Sequence, residues 1–165
     1  MLPVTILAAQ KISDLLTNAN ALQKQISAIA ASCNVNLPLI TSTQVILSSA
    51  NPKIDDLNLQ LSYPRICLYS GGLKNTLIEK FRSLSGTVSV VAEIWASANL
   101  VNQTDQWIHF YVEAMTNILR QNIGDLGDGF SFSGVYDVQF EAPVAGGLGF
   151  VQSAKVTSSL DVSRN

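Results

Sequence analysis

The stretch Gly86-Thr-Val-Ser-Val-Val-Ala-Glu-Ile-Trp-Ala-Ser-Ala98 decides the fold class of this chain. Val88, Val90, Ala92, Ile94 and Ala96 fall on one side of a period-2 ribbon. Thr87, Ser89, Val91, Glu93, Trp95 and Ser97 fall on the other. Alternation over this length, rich in β-branched residues, predicts a strand whose apolar side covers a core. The second side mixes Val91 and Trp95 with hydroxyls and a carboxylate. Such a face is too apolar for bulk water and too polar for a core, and it suits a sheet that meets something else, such as another subunit. Trp95 stands equally as an interface residue and as a core residue.

Working outward, Val4 to Cys33 carries a helical pattern: Ile6, Ala9, Ile12, Leu15, Leu16, Ala19, Leu22, Ile26 and Ile29 recur at spacings of three and four. The poor helix formers of Thr17-Asn-Ala-Asn20 mark a place for a kink or a split. Thr43 to Ser48 and Arg65 to Tyr69 read as strands, with a loop from Ala50 to Tyr63 between them and Ser70-Gly-Gly72 as a break. Residues 73–85 form a charged connector or a hairpin arm. Thr104 is placed to cap a second helix over residues 105–122, with Trp107, Phe110, Tyr111, Ala114 and Ile118 as its apolar stripe. Residues 124–129 read as a turn. Phe130 to Glu141 alternates as a half-buried strand, Pro143 to Gly149 is a glycine-rich turn, and Phe150 to Ser163 is the last strand. The expected fold is therefore α+β: one domain over residues 1–165, a small antiparallel sheet of about four main strands, and two helices packed on one face.

Charge is scarce. Asp, Glu, Lys and Arg make up 13% of the chain, against about 25% in an average soluble domain. Charged residues are depleted where a surface is spent on neighbours, so the composition fits an assembling subunit better than a compact neutral-surfaced domain. The net charge of −2 and the scattered basic residues give no footprint for nucleic-acid readout. Cys33 and Cys67 form no metal spacing, and their apolar neighbours predict two buried free thiols. No basic n-region precedes an apolar run at Met1, and no apolar run approaches the ~18 residues of a membrane span.

Chemistry is not evident either. The single histidine, His109, sits inside the second helix and removes most triad and metal schemes. None of the glycine clusters gives a phosphate-loop pattern, and Asp125-Leu-Gly-Asp-Gly129 lacks the ligand spacing of a calcium loop. Asp137 and Glu141 share one strand face without an aromatic platform for sugar chemistry. No enzyme, cofactor or metal site is expected.

The run Glu79-Lys-Phe-Arg-Ser-Leu-Ser-Gly-Thr-Val-Ser-Val-Val-Ala-Glu-Ile94 resembles the connector and central strand of phage tail terminator (tail completion) proteins. Ala154-Lys-Val-Thr-Ser-Ser-Leu-Asp-Val162 resembles the strand on which those proteins end. The resemblance covers roughly residues 4 to 163 and lies also in the order of elements. It implies a ring, typically a hexamer, seated on the last ring of the tail tube at the head-proximal end of the virion tail. It further implies tube protein and a head-side connector as partners, and DNA passing through the lumen without being read. Assembly would take place in the host cytoplasm, without a membrane. On this reading Lys74, Lys80 and Arg82 of the connector project toward a neighbour or the tube, and the face around Val91 and Trp95 supports ring contacts. The alternatives are a tail-tube or head–tail adaptor subunit and, from another class, a monomeric ligand-binding α+β module.

Overall fold

The computed structural model describes residues 2–48, 63–76 and 83–164. Among these, three α-helices and seven strands form one helical layer on one curled sheet. The expected four-strand sheet is thus corrected: short segments read as turns join it as strands, and the sheet curls toward a half-barrel.

The N-terminal helical pattern is split. Helix α1 spans Val4–Thr17 and α2 spans Ala21–Cys33, with a single 3-10 turn at Asn18–Asn20 between them. Ala19 and Asn20 take φ of 49° and 57°, the left-handed region that reverses the chain direction and that asparagine tolerates best after glycine. Asn34, at φ 52°, ends α2 in the same conformation.

Strand β1 is Val45–Leu47 and pairs parallel to β2, Arg65–Asn75. The Gly71-Gly72 pair does not end β2. A bulge between Ser70 and Gly72 absorbs it, and pairing with β3 resumes through Asn75. Strand β3, Leu84–Ala98, is the alternating stretch itself.

Helix α3 spans Val101–Gln121, starting earlier than the capping pattern predicts. Thr104 is not its cap. The Thr104 side chain is buried and its hydroxyl donates to the Leu100 carbonyl at 2.9 Å, one turn back. The deepest stripe is Ile108, Tyr111, Met115, Ile118 and Leu119, while Trp107 and Phe110 lie at its half-buried margin.

Residues 124–129 are not all turn: β4, Gly124–Gly127, forms a short hairpin with β5, Phe130–Phe140. Strand β6, Val144–Gly146, lies beside the start of β7, Gly149–Arg164. The strand order is β1-β2-β3-β7-β5-β4, with β6 also on β7.

All three helices pack on one face. Ala8, Ile12 and Leu16 of α1 and the α3 stripe meet the even-numbered side chains of the central strands, and Leu22 and Ile26 of α2 join the same apolar cluster against α3. Two polar contacts fix the layer. The Tyr111 hydroxyl, at a fully buried ring, donates to the Pro38 carbonyl at 2.7 Å, so the loop after α2 is tied to α3. Lys11 Nζ lies 2.7 Å from Asp128 Oδ2, which joins α1 to the β4–β5 turn and holds the Asp128 carboxyl below its ordinary range.

Removing one hydrogen bond from the buried tyrosine isolates the first of these ties. Tyr111→Phe keeps the ring and its packing but leaves the Pro38 carbonyl without its partner. It is expected to cost about 1 kcal/mol of unfolding free energy. Urea unfolding checks this: the midpoint falls and the slope stays constant.

Candidate functional site

The surface that stands out is the pair of sheet edges. Strands β1 and β4 are short, so each edge is a step rather than a straight line. On one side β1 covers only Ile66–Leu68 of β2 and leaves the exposed stretch from Gly71 to Asn75 without an outer partner among the described strands. On the other side β4 covers Phe130–Phe132 of β5 and leaves Tyr136–Phe140 open in the same sense. Unpaired backbone groups along such steps template further strand pairing.

Both steps carry exposed apolar side chains. Ile46 and Leu47 lie on β1, and Leu73 lies on the open part of β2. A groove of about 250 Å3 opens beside β1, between Ile6 and Ala9 of α1 and Leu47 and Leu68 of the sheet. On the opposite edge Val135, 63% exposed, and Phe140 face outward, and the Phe140 ring lies 4.3 Å from that of His109 on α3. Above them the β6–β7 turn presents Leu148, 68% exposed. That turn is held rigidly: the Leu148 N–H donates to Ser97 Oγ at 2.8 Å. Gly147, at φ 55°, has no room for a side chain beside Ser97. Gln152 anchors the same corner. Its amide nitrogen donates at 3.0 Å to both Asp105 Oδ1 on α3 and the Glu141 carbonyl beyond β5.

The face of the sheet away from the helices is covered at one end and half-open at the other. Arg65, Cys67, Trp95, Ser97, Val151 and Ser153 are buried there. Trp95 is only 9% exposed, so its ring offers little area to a neighbour, and its indole N–H has no hydrogen-bond partner among the described residues. Val91 is half-buried further along the strand. Lys74 is exposed on the open part of β2, in one row with Thr87 and Asp161. Lys80 and Arg82 lie outside the described residues. The structure therefore does not bring Lys74 together with Val91 and Trp95 in one patch: Lys74 is an edge residue and Trp95 a covered one. Cys67 is buried as expected, but Cys33 is exposed at the end of α2.

The edge residues Ile46, Leu47, Val135, Phe140 and Leu148 carried no distinguishing sequence signal. Each belongs to an alternating or glycine-rich segment in which an apolar residue is ordinary. Only the strand order reveals that they lie on the rim.

At the half-open end, the Tyr69 hydroxyl donates to Glu93 Oε2 at 3.4 Å. Partial burial of the phenol, and next the neighbouring carboxylate, push the Tyr69 pKa above its ordinary value. Among the described residues no three of His, Cys, Asp and Glu converge on a metal-sized site. No described helix is long and apolar enough to cross a membrane.

The Tyr69 shift has two separable causes. Glu93→Gln removes the charge and keeps the shape, so the Tyr69 pKa is expected to fall part of the way toward 10, with the burial contribution remaining. NMR titration of the assigned Tyr69 ring carbon checks it, and an unchanged pKa would remove Glu93 as a cause. The raised value favours the neutral phenol in the folded state. Its contribution to stability is present below the unfolded tyrosine pKa of about 10 and is lost as pH rises through the folded value.

No protein-family model matches the chain, and no curated protein matches it.

Proposed function

We propose that this chain is the subunit of a phage tail terminator. Copies assemble into a ring, a hexamer as the resemblance implies, at the head-proximal end of the tail tube. The ring ends tube growth and offers its other surface to the head-side connector, and DNA passes through the lumen unread. The observation that carries the reading is the pair of unlike, apolar, open sheet edges on opposite sides of one subunit. A patch on one side that differs from the patch on the other serves a heterologous head-to-tail contact, and such contacts build rings when the rotation between copies closes. The resemblance of residues 79–94 and 154–162 to terminator strands supports the choice of family. The scarcity of charge supports it, because a subunit whose rim faces neighbours needs little charge there.

The capping step follows from geometry rather than chemistry. A ring seated on the tube must match the tube on one face and fail to offer the same face on the other, so that the next tube ring finds no seat. A weakly acidic subunit suits a lumen through which a polyanion moves, since basic walls would hold it.

Native mass over a concentration range, with negative-stain images of each species, tests the proposal. Closed rings of one size that never lengthen, and that bind the ends of tube polymers and stop their growth, are expected. Long tubes formed by the protein alone would place it among tube or adaptor subunits instead. A monomer at every concentration that also ignores tube ends would overturn the reading.

A further inference from the structure

The two stepped edges match one another row by row. Following the pairing across the sheet, Val45 shares a row with Phe140, Ile46 with Gln139 and Leu47 with Val138. These are the three residues of β1 and the three residues of β5 that end its open stretch. At the other end, Leu73 shares a row with Gly124, Lys74 with Asp125 and Asn75 with Gly127. These are the last residues of open β2 and the span of β4. Among the described residues, where one edge projects by a strand, the other is recessed at the same height.

We infer that a second copy of this chain occupies each edge, with β1 of one subunit filling the notch beside β5 of the next, and β4 of that next subunit filling the notch beside β2 of the first. The inference rests on the ring reading for its closure, but the choice of edges rests on the strand order alone.

Strand direction agrees with this docking. β2 and β3, β3 and β7, and β7 and β5 are each antiparallel, while β1 runs parallel to β2. Side-by-side placement without turning the neighbour over therefore sets β1 antiparallel to the neighbouring β5. It sets β4, antiparallel to its own β5, parallel to the neighbouring β2. Both pairings are ordinary sheet geometry, and strand addition of this kind draws its affinity from main-chain hydrogen bonds.

Charge agrees as well. Lys74 and Asp125 are both exposed and share a row. Their side chains lie on the same face, because Lys74 is registered with Thr87 and Asp125 with Ser131, which shares its row with Thr87 through Asp161. Oδ1 of Asp125 accepts the Gly127 N–H at 2.8 Å, which fixes the carboxylate and leaves Oδ2 for the ammonium of the neighbouring copy. On the other half of the contact, exposed Ile46 meets the stem of Gln139, and Val45 meets exposed Phe140. The occupant is thus a copy of the chain itself, with opposite charges and apolar partners in matching rows.

Two cysteine pairs test the register in a background where Cys33 and Cys67 are replaced by serine and alanine. Lys74→Cys with Asp125→Cys, and separately Ile46→Cys with Gln139→Cys, place thiols on neighbouring strands within disulfide reach. Oxidation is expected to give a covalent ladder ending at the full ring. Mixing the corresponding single-cysteine variants is expected to give dimers only. Circular dichroism of each variant verifies that the subunit is folded, and Lys74→Asp, which loses assembly, is expected to regain it when combined with Asp125→Lys. Intact rings that form no crosslink in either pair would overturn the edge assignment and leave the ring reading standing. Crosslinked open filaments would uphold the edges and overturn the ring. Folded monomers that neither assemble nor crosslink, with or without tube protein, would overturn both.

Discussion

The pairing of β3 with β7 is the constraint on which the rest of the structure depends. It runs without a break from Leu84 opposite Arg164 to Ala98 opposite Phe150. Every other strand takes its register from this pair directly or through one neighbour: β2 follows β3, β5 and β6 follow β7, β1 follows β2 and β4 follows β5. The helical layer depends on it too, because Val88, Val90, Ala92, Ile94 and Ala96 alternate in phase with Ala154, Val156 and Leu160. A one-residue slip would exchange this apolar set for Ser89, Glu93, Lys155 and Thr157 and strand the helices over charge. Register is therefore strongly specified, and the steps at the two edges inherit that precision from the middle.

The edges differ because their outermost strands are short for separate local reasons. Strand β4 ends where Gly127 and Asp128 take positive φ and the Lys11 contact holds the turn. Strand β1 is entered through a capped 3-10 turn at Ser42–Gln44. There Gln44 Oε1 accepts the Thr41 N–H at 2.8 Å, and Gln44 Nε2 donates to the Pro64 carbonyl at the same distance. One amide side chain thus ties the start of β1 to the start of β2. Natural sheets commonly blunt such edges with charge, proline or a covering segment. Among the described residues Lys74 and Asp125 are two of the charges on the rim, and in row order they stand opposite one another.

Much of this architecture was legible in the sequence, and what was not has a physical reason. The alternation of 86–98, 130–140 and 150–163 located the three long strands, since a half-buried strand writes period 2 into the chain. The stretch Thr17–Asn20 signalled the break that Ala19 and Asn20 realise. Strands β4 and β6 were hidden because three or four glycine-rich residues hold too few side chains to show any period. The length of β2 was hidden because glycines at a bulge look the same as glycines at a turn. Thr104 misled as a cap because its hydroxyl satisfies a carbonyl one turn back instead of an amide ahead, and composition does not distinguish the two. For the candidate site, Lys74 was found from charge alone. Its row partner Asp125 was read as a solvated turn residue, because rows emerge only once strand order is known.

Edge complementarity alone does not set how many copies join. Identical subunits placed side by side with matched rows would extend indefinitely if the sheet were flat. In the proposed assembly the curl of this sheet would turn each added copy by a fixed angle, and a heterologous contact gives a closed ring where that rotation closes and an open helix where it does not. Matched rows fix which residues meet at the contact, while the tilt of the strands against the axis of curl and the register stagger that goes with it decide whether the turn closes. On the proposed ring, row matching sets the register of every contact and the curl sets the turn, and a single-residue offset at either edge would exchange the two faces. For the terminator proposed above, register and turn would both be set by the subunit itself, before any tube is met.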